Sequence, residues 1–398
     1  MQRDLAVERA LDAADPDRLV DVLRSALREQ YGAAAVELRL ADYAIHSLQP
    51  ARPDSAQADP IIIDGTAQGR AFGSQEPVVA ESAGEDRVLH LPVTHRGDRV
   101  GVLSVTVPAA ACAPPMLDEL RRISTVTARE IILAARETDR YEVGRRAERL
   151  TLAAEMQWLL LPARSCTRPE FSLGAHLEPA YAIYGDGFDW SVSGGHLTVA
   201  VINGMGQGVN AALLTALVVA ALRNARRAGL SLADQAVLAD EAVFSQHRGK
   251  AHVEALLVQF ELATGRVEVV DAGSPRLWRV RGDMVEPRHL DAQMPLGMFG
   301  DTDYRMEPMR VEPGDRLVIV GDGVYAAASP TGEKFEQRAL AHTITATRSL
   351  PPAQVPTAVL HALLSHYGQS PLLDDAVVAC VDWHGPRSAE GEGESEDA

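Results

Sequence analysis

The sequence predicts an α+β protein of two globular parts joined by a long helical region. Three observations carry this. Residues 1–115 place helical patterns, a strand and a β-hairpin ahead of a proline-bounded stretch. Residues 116–161 keep an apolar helical rhythm with Gly144 as the one glycine. Residues 162–384 are β-rich at both ends with helices between. The chain has 398 residues, of which 46% are hydrophobic and 23% charged. That length suits two or three domains and is ample for a large core.

Each element has a local reason. Leu5, Val7, Ala10 and Leu11, then Leu19, Val20, Leu23 and Leu27, recur near a 3.6-residue period, with a break expected at Asp15-Pro16. Asp15 or Asp17 is a candidate cap for the second helix, and Tyr31-Gly32 its end. Ala35 to Leu40 reads as a strand. Residues 49–60, rich in Pro, Ala and Asp, read as a loop. Arg87–Thr94 and Arg99–Val107 alternate around His95-Arg96-Gly97-Asp98, the pattern of a hairpin. In the following helix Leu120, Ile123, Thr127, Ile131 and Ala134 sit near an a/d spacing. They are either a face packed on the first domain or the seam of a two-stranded coiled coil.

Beyond Pro162, Leu197–Ile202 reads as a buried strand. Ala211–Ala228 and Ser231–Gln246 read as helices. Glu254–Leu262 with Val267–Asp271, and Arg276–Arg281 with Met284–Pro287, read as hairpins. Arg316–Val320 and Ala376–Val381 are apolar strands. Residues 385–398 hold five carboxylates and few apolar groups, so an acidic disordered tail is expected.

Composition excludes some functions. The net charge is −17, which disfavours proteins that coat nucleic acid or an anionic membrane. No uninterrupted apolar run approaches 18 residues, and the N-terminus does not read as a signal peptide. Cys112, Cys166 and Cys380 lie far apart and fit a reducing, cytoplasmic setting.

Four acidic or amide groups sit where strands meet glycine turns. Asp186 lies in Gly185-Asp186-Gly187-Phe188-Asp189. Asn203 opens Asn203-Gly204-Met205-Gly206-Gln207-Gly208 after a strand. Asp322 follows a buried strand in Gly321-Asp322-Gly323, and Asp374-Asp375 precedes the last one. An Asp-Gly pair alone is most often a turn. Several strand-end carboxylates together are how hard divalent cations are held, since Mg²⁺ and Mn²⁺ take oxygen ligands.

The order of these pieces over residues 155–383 resembles the SpoIIE/RsbU-like branch of the PPM-type, metal-dependent protein serine/threonine phosphatases. Further landmarks are Gln157 with Leu160-Leu161-Pro162, Glu178-Pro179-Ala180, Asp271-Ala272-Gly273-Ser274-Pro275, Pro295-Leu296-Gly297 and Pro313-Gly314-Asp315. The resemblance implies an α-β-β-α sandwich over 162–384 and two Mn²⁺ or Mg²⁺ ions. They would be held by Asp186, Asp322, Asp374 and the Gly204 carbonyl. A water on the ions would attack the phosphoserine phosphorus directly. The implied substrate is a phosphorylated anti-sigma-factor antagonist. The chain departs from the family at Asn203, where relatives carry the Asp that bridges both metals. It also departs at Gln207, Ser274, Gly321 and Ala326. The competing expectation is a weakened enzyme, or a pseudophosphatase that binds its target without hydrolysis.

Residues 1–115 with the following helix resemble a GAF domain, on Leu89–Val93 and Arg99–Leu103 as a central hairpin. That implies a sensor for an unknown small ligand, with a possible homodimer through the 116–161 helix. His46, His90 and His95 read as packing or surface residues rather than haem or bilin ligands.

Overall fold

In the computed structural model the described residues are 3–51, 59–81, 85–147, 149–179, 183–368 and 372–386. Ala180 and nearly all of the expected acidic tail lie outside them. The chain forms two compact units, Met1–Arg149 and Leu150–Ala398.

The first unit has helices α1 (Arg3–Asp12) and α2 (Leu19–Tyr31), then strands β1 (Ala35–Ala41), β2 (Ser47–Pro50) and β3 (Ile61–Ile62). Helix α3 (Ala67–Ser74) follows, then β4 (Val78–Glu81), β5 (Asp86–His95) and β6 (Asp98–Pro108). Helices α4 (Pro114–Ala134) and α5 (Arg140–Gly144) close the unit. The sheet is antiparallel in the order β3-β2-β1-β6-β5-β4. Gly32 ends α2 in the left-handed conformation at φ +64°, as its sequence position implies. Asp15 makes no side-chain capping bond, so the break before α2 is set by Pro16. His90 is buried with Nδ1 2.8 Å from the Ser104 hydroxyl, which is a packing role.

The single helix expected over Met116–Leu161 is interrupted twice. α4 stops at Ala134, α5 spans five residues, and α6 (Leu152–Leu160) starts afresh with Thr151 accepting from the Ala154 N–H. Leu120, Ile123, Ile131 and Ala134 are all in the first unit's core with Leu23, Leu38, Leu91 and Leu103. The a/d stripe is therefore the face that α4 lays on its own sheet. The unit boundary falls at Arg149 rather than at 115 and 161, because α4 and α5 are part of the first core and α6 of the second.

The second unit begins with α6, then β7 (Ser165–Thr167), β8 (Phe171–Glu178), β9 (Gly187–Ser193) and β10 (His196–Gly204). Helices α7 (Gly208–Arg227) and α8 (Leu232–His247) come next. They are followed by β11 (Val253–Glu261), β12 (Arg266–Ala272), β13 (Arg276–Arg281), β14 (Met284–Arg288), β15 (Glu307–Arg310) and β16 (Arg316–Val320). The short α9 (Asp322–Tyr325), α10 (Ala339–Ala346), α11 (Val355–Tyr367) and β17 (Ala376–Trp383) complete it. A five-stranded sheet, β15-β12-β11-β10-β9, faces a six-stranded sheet, β14-β13-β16-β17-β8-β7. Alternate residues such as Val199, Val201, Leu256, Val258, Leu317, Ile319, Val377 and Ala379 fill the space between them.

Helices cover both outer faces. Leu214, Val218 and Leu222 of α7 and Ala236, Ala239 and Val243 of α8 bury Ala200, Ile202 and Leu257. Val355, Val359 and Leu363 of α11 bury Val318, Val320 and Val378. α7 is long and apolar enough to cross a membrane by length and composition alone, but half of it is buried in this core. The layers are α-β-β-α. The topology sends β10 and β16 toward one end of the sandwich, and β9 and β17 start from that end. Asp186, Asn203, Asp322 and Asp374 therefore meet there.

Candidate metal centre

Asp186 is the centre of the cluster. It lies just before β9, is 0% exposed, and neither carboxylate oxygen has a hydrogen-bond partner. Burial pushes its pKa well above the ordinary carboxylate range, and the charges of Asp375, Asp322, Asp374 and Glu254 push it further. Its loop needs a glycine before it. Gly185 has φ +93°, and a Cβ there would lie 2.9 Å from the Ala211 methyl. The same Cβ would lie 3.2 Å from the Gly204 carbonyl oxygen, so that oxygen points toward the Asp186 loop. Thr215 on α7 donates its hydroxyl to the Gly185 carbonyl and locks the loop from below.

Asp322 opens α9 directly after β16, and its Oδ1 accepts from the Gly323 N–H at 3.1 Å. Its pKa is raised by burial and then by the Glu254 charge, against a lowering hydrogen bond from Asn203. Asp374 accepts from the Asp375 N–H at 2.9 Å. Its pKa is pushed up to about 6, first by burial and then by Asp322. Gly321 lies against Asp186: a Cβ there would come within 3.1 Å of Asp186 Oδ2 and 2.7 Å of Val377 Cγ1.

Asp375 has a different job. It is fully buried, and its Oδ2 accepts from Gln157 Nε2 and the Tyr184 N–H, both at 2.9 Å, and from the Gly185 N–H at 3.1 Å. One carboxylate oxygen thus gathers the Asp186 loop and ties it to α6.

Asn203 lies in β10, paired in register with Glu254 of β11. Its Nδ2 donates to Ser274 Oγ at 3.0 Å and faces Glu254 Oε2 at 3.4 Å. The sequence reading names Asp186, Asn203, Gly204, Asp322 and Asp374, and the fold brings all five to one end of the sandwich. It misses Glu254 and the anchoring by Asp375 and Gln157. The available signal for Glu254 was a carboxylate at the start of a strand whose next four residues, Ala255–Val258, are apolar.

The donor set suits a hard divalent cation. A buried carboxylate with two unpartnered oxygens is expensive unless something positive satisfies it, and every nearby donor is oxygen. Among the described residues, no three His, Cys, Asp or Glu side chains close into a ready-made cage. Mg²⁺ needs none, because it keeps several waters and takes one or two carboxylates directly. A cleft of about 290 Å³ runs beside Asp322 and Asp374, lined by Ala326, Ala327 and Ala328 and by Tyr367, Leu372 and Leu373.

Residues 193–384 match the family described as Stage II sporulation protein E (SpoIIE). The matched stretch lies within the second unit. It contains Asn203, Glu254, Asp322 and Asp374, while Asp186 lies just ahead of it. Protein IcfG of Synechocystis sp. is 21% identical over 255 residues. The match covers 57% of this chain, which spans only 40% of that relative's length. Among solved structures, the RsbU and RsbW domains of Rv1364c from Mycobacterium tuberculosis are 21% identical, covering 55% of this chain and 62% of that one, with a TM-score of 0.49. The SiaA-PP2C domain of Pseudomonas aeruginosa is 24% identical, covering 53% and 85%, with a TM-score of 0.47.

Proposed function

We propose that the second unit is a metal-dependent protein serine/threonine phosphatase, a hydrolase using Mn²⁺ or Mg²⁺. The buried, unpartnered Asp186 carboxylate beside Asp322 and Asp374 is the observation that supports it most directly. Asp186, Asp322 and Asp374, with the Gly204 carbonyl and the Asn203 amide oxygen, would hold the ions. When bound, two ions of this kind lower the pKa of a water and neutralise phosphate charge. The protein's own part is positioning. Asp375 and Gln157 hold the Asp186 loop, Thr215 fixes Gly185, and the cleft beside Asp322 admits a phosphoserine on a protruding segment.

The finer assignment rests on the resemblance. It takes the substrate to be a phosphorylated anti-sigma-factor antagonist in partner switching. It takes the first unit to be a GAF-like module for an unknown small ligand, the location to be cytoplasmic, and a homodimer to be one possible assembly. The helix, strand, hairpin and helix order of the first unit supports the GAF reading. The charge of −17 supports partners other than nucleic acid or membrane. A second reading is a binding scaffold without hydrolysis, which the neutral Asn203 favours.

Phosphate release from a phosphoserine peptide by the full chain separates the two. The phosphatase reading expects release that requires Mn²⁺, stops with EDTA and is lost in Asp322→Asn. Peptide binding with no Mn²⁺-dependent release would leave the scaffold.

A further inference from the structure

We propose that Glu254 supplies the carboxylate that Asn203 lacks, so that the negative charge of the metal centre has moved across one strand pair rather than vanished. This rests on the metal-centre reading above.

The register places the two side chains opposite each other on β10 and β11. Directly opposed residues on one antiparallel face have Cβ atoms about 5 Å apart, so both side chains reach the same volume. Asn203 Nδ2 faces Glu254 Oε2 at 3.4 Å. The stem of Glu254 has a prepared place. Gly273 packs on it so closely that a Cβ at 273 would lie 2.5 Å from Glu254 Cβ and 2.6 Å from its Cγ. Gly273 has φ +138°, which favours glycine there in any case. The next residue, Ser274, accepts from Asn203 through its hydroxyl. One turn therefore holds both members of the pair.

The amide contact places the Glu254 carboxylate beside Asn203, one of the groups that would hold the ions. Two opposed carboxylates repel when no cation lies between them. Asn at 203 and Glu at 254 keep one negative charge on the pair and let the amide donate to it. A swap of this kind leaves the charge of the donor set at the value that an Asp opposite a neutral residue would give. Asp186, whose two oxygens have no partner, is the buried group into which the set converges.

Mn²⁺ titration calorimetry on the full chain tests this without turnover. Glu254→Gln, which keeps the shape, should weaken Mn²⁺ binding by about tenfold or more, the scale on which metal sites respond to lost supporting groups. The charge-restoring double variant, Asn203→Asp with Glu254→Gln, should recover the parent affinity to within a few-fold. With EDTA present, Asn203→Asp alone should unfold at lower temperature than that double variant, because it opposes two carboxylates. Glu254→Gln binding Mn²⁺ as tightly as the parent, while Asp322→Asn binds none, would overturn the role of Glu254 and leave the metal centre standing. No Mn²⁺ binding by the parent would overturn both.

Discussion

Gln157 of α6 donates one amide group to two places: Nε2 lies 2.8 Å from the Asp186 carbonyl oxygen and 2.9 Å from Asp375 Oδ2. The side chain is 3% exposed. A helix that precedes the sandwich in sequence thus sets the backbone of the residue at the middle of the carboxylate cluster.

Removing that donor takes a hydrogen bond from the buried Asp186 carbonyl and one of several donors from the buried Asp375 carboxylate. Gln157→Leu should destabilise the second unit by about 1–3 kcal/mol. All four tryptophans, Trp158, Trp190, Trp278 and Trp383, lie in that unit, so their fluorescence follows its unfolding within the full chain. The same substitution should weaken Mn²⁺ binding by about tenfold, as lost outer partners do at metal sites. A stability loss with unchanged Mn²⁺ affinity would make Gln157 a packing residue only.

What the sequence discloses follows a physical line. β16 is legible residue for residue because Arg316–Val320 is a short apolar run between Gly314-Asp315 and Gly321-Asp322, buried on both faces. The Asp residues of the centre are legible because glycines flank them at strand ends. α11 is not, because Pro351, Pro352 and Pro356 read as breakers. Pro356 in fact sits in the first turn, where its missing N–H costs nothing. Val355, Val359 and Leu363 then form the buried face behind it. Glu254 is illegible for another reason. Its meaning depends on the register between strands fifty residues apart, which no local pattern records. The same limit applies to α4, whose apolar spacing is equally good for a partner helix and for its own sheet.

For α4 the buried positions decide. Leu120 and Ile123 are 0% exposed among the first unit's own side chains. Leu120→Ala should therefore destabilise the first unit by about 2–5 kcal/mol through the cavity it leaves. Hydrogen exchange at β1, β5 and β6 would report it. The molar mass by light scattering should not change. A mass that halves with exchange unaltered would show instead that Leu120 belongs to an interface between chains.

The carboxylates of the centre give a pH dependence whose sign can be worked out. Asp186, Asp322 and Asp374 all have raised pKa values in the fold, Asp374 to about 6, against about 4 in an unfolded chain. The folded state therefore binds more protons than the unfolded state above about pH 4. Stability from these groups is complete below that pH and is lost as pH rises through the folded values. In EDTA the second unit should be more stable near pH 5 than near pH 7.5. A bound cation favours the ionised forms, so stabilisation by Mn²⁺ should grow over the same range. General repulsion in a chain of charge −17 has the same sign, and Asp186→Asn separates the two. It removes one buried charge that has no partner while keeping the shape. At pH 7.5 in EDTA it should raise unit stability by about 1–3 kcal/mol, the scale of an unsatisfied buried group. It should also flatten the pH dependence and lose the response to Mn²⁺. If Asp186→Asn were less stable than the parent in EDTA at pH 7.5, the Asp186 carboxylate would be a satisfied structural group and not a site held ready for a cation.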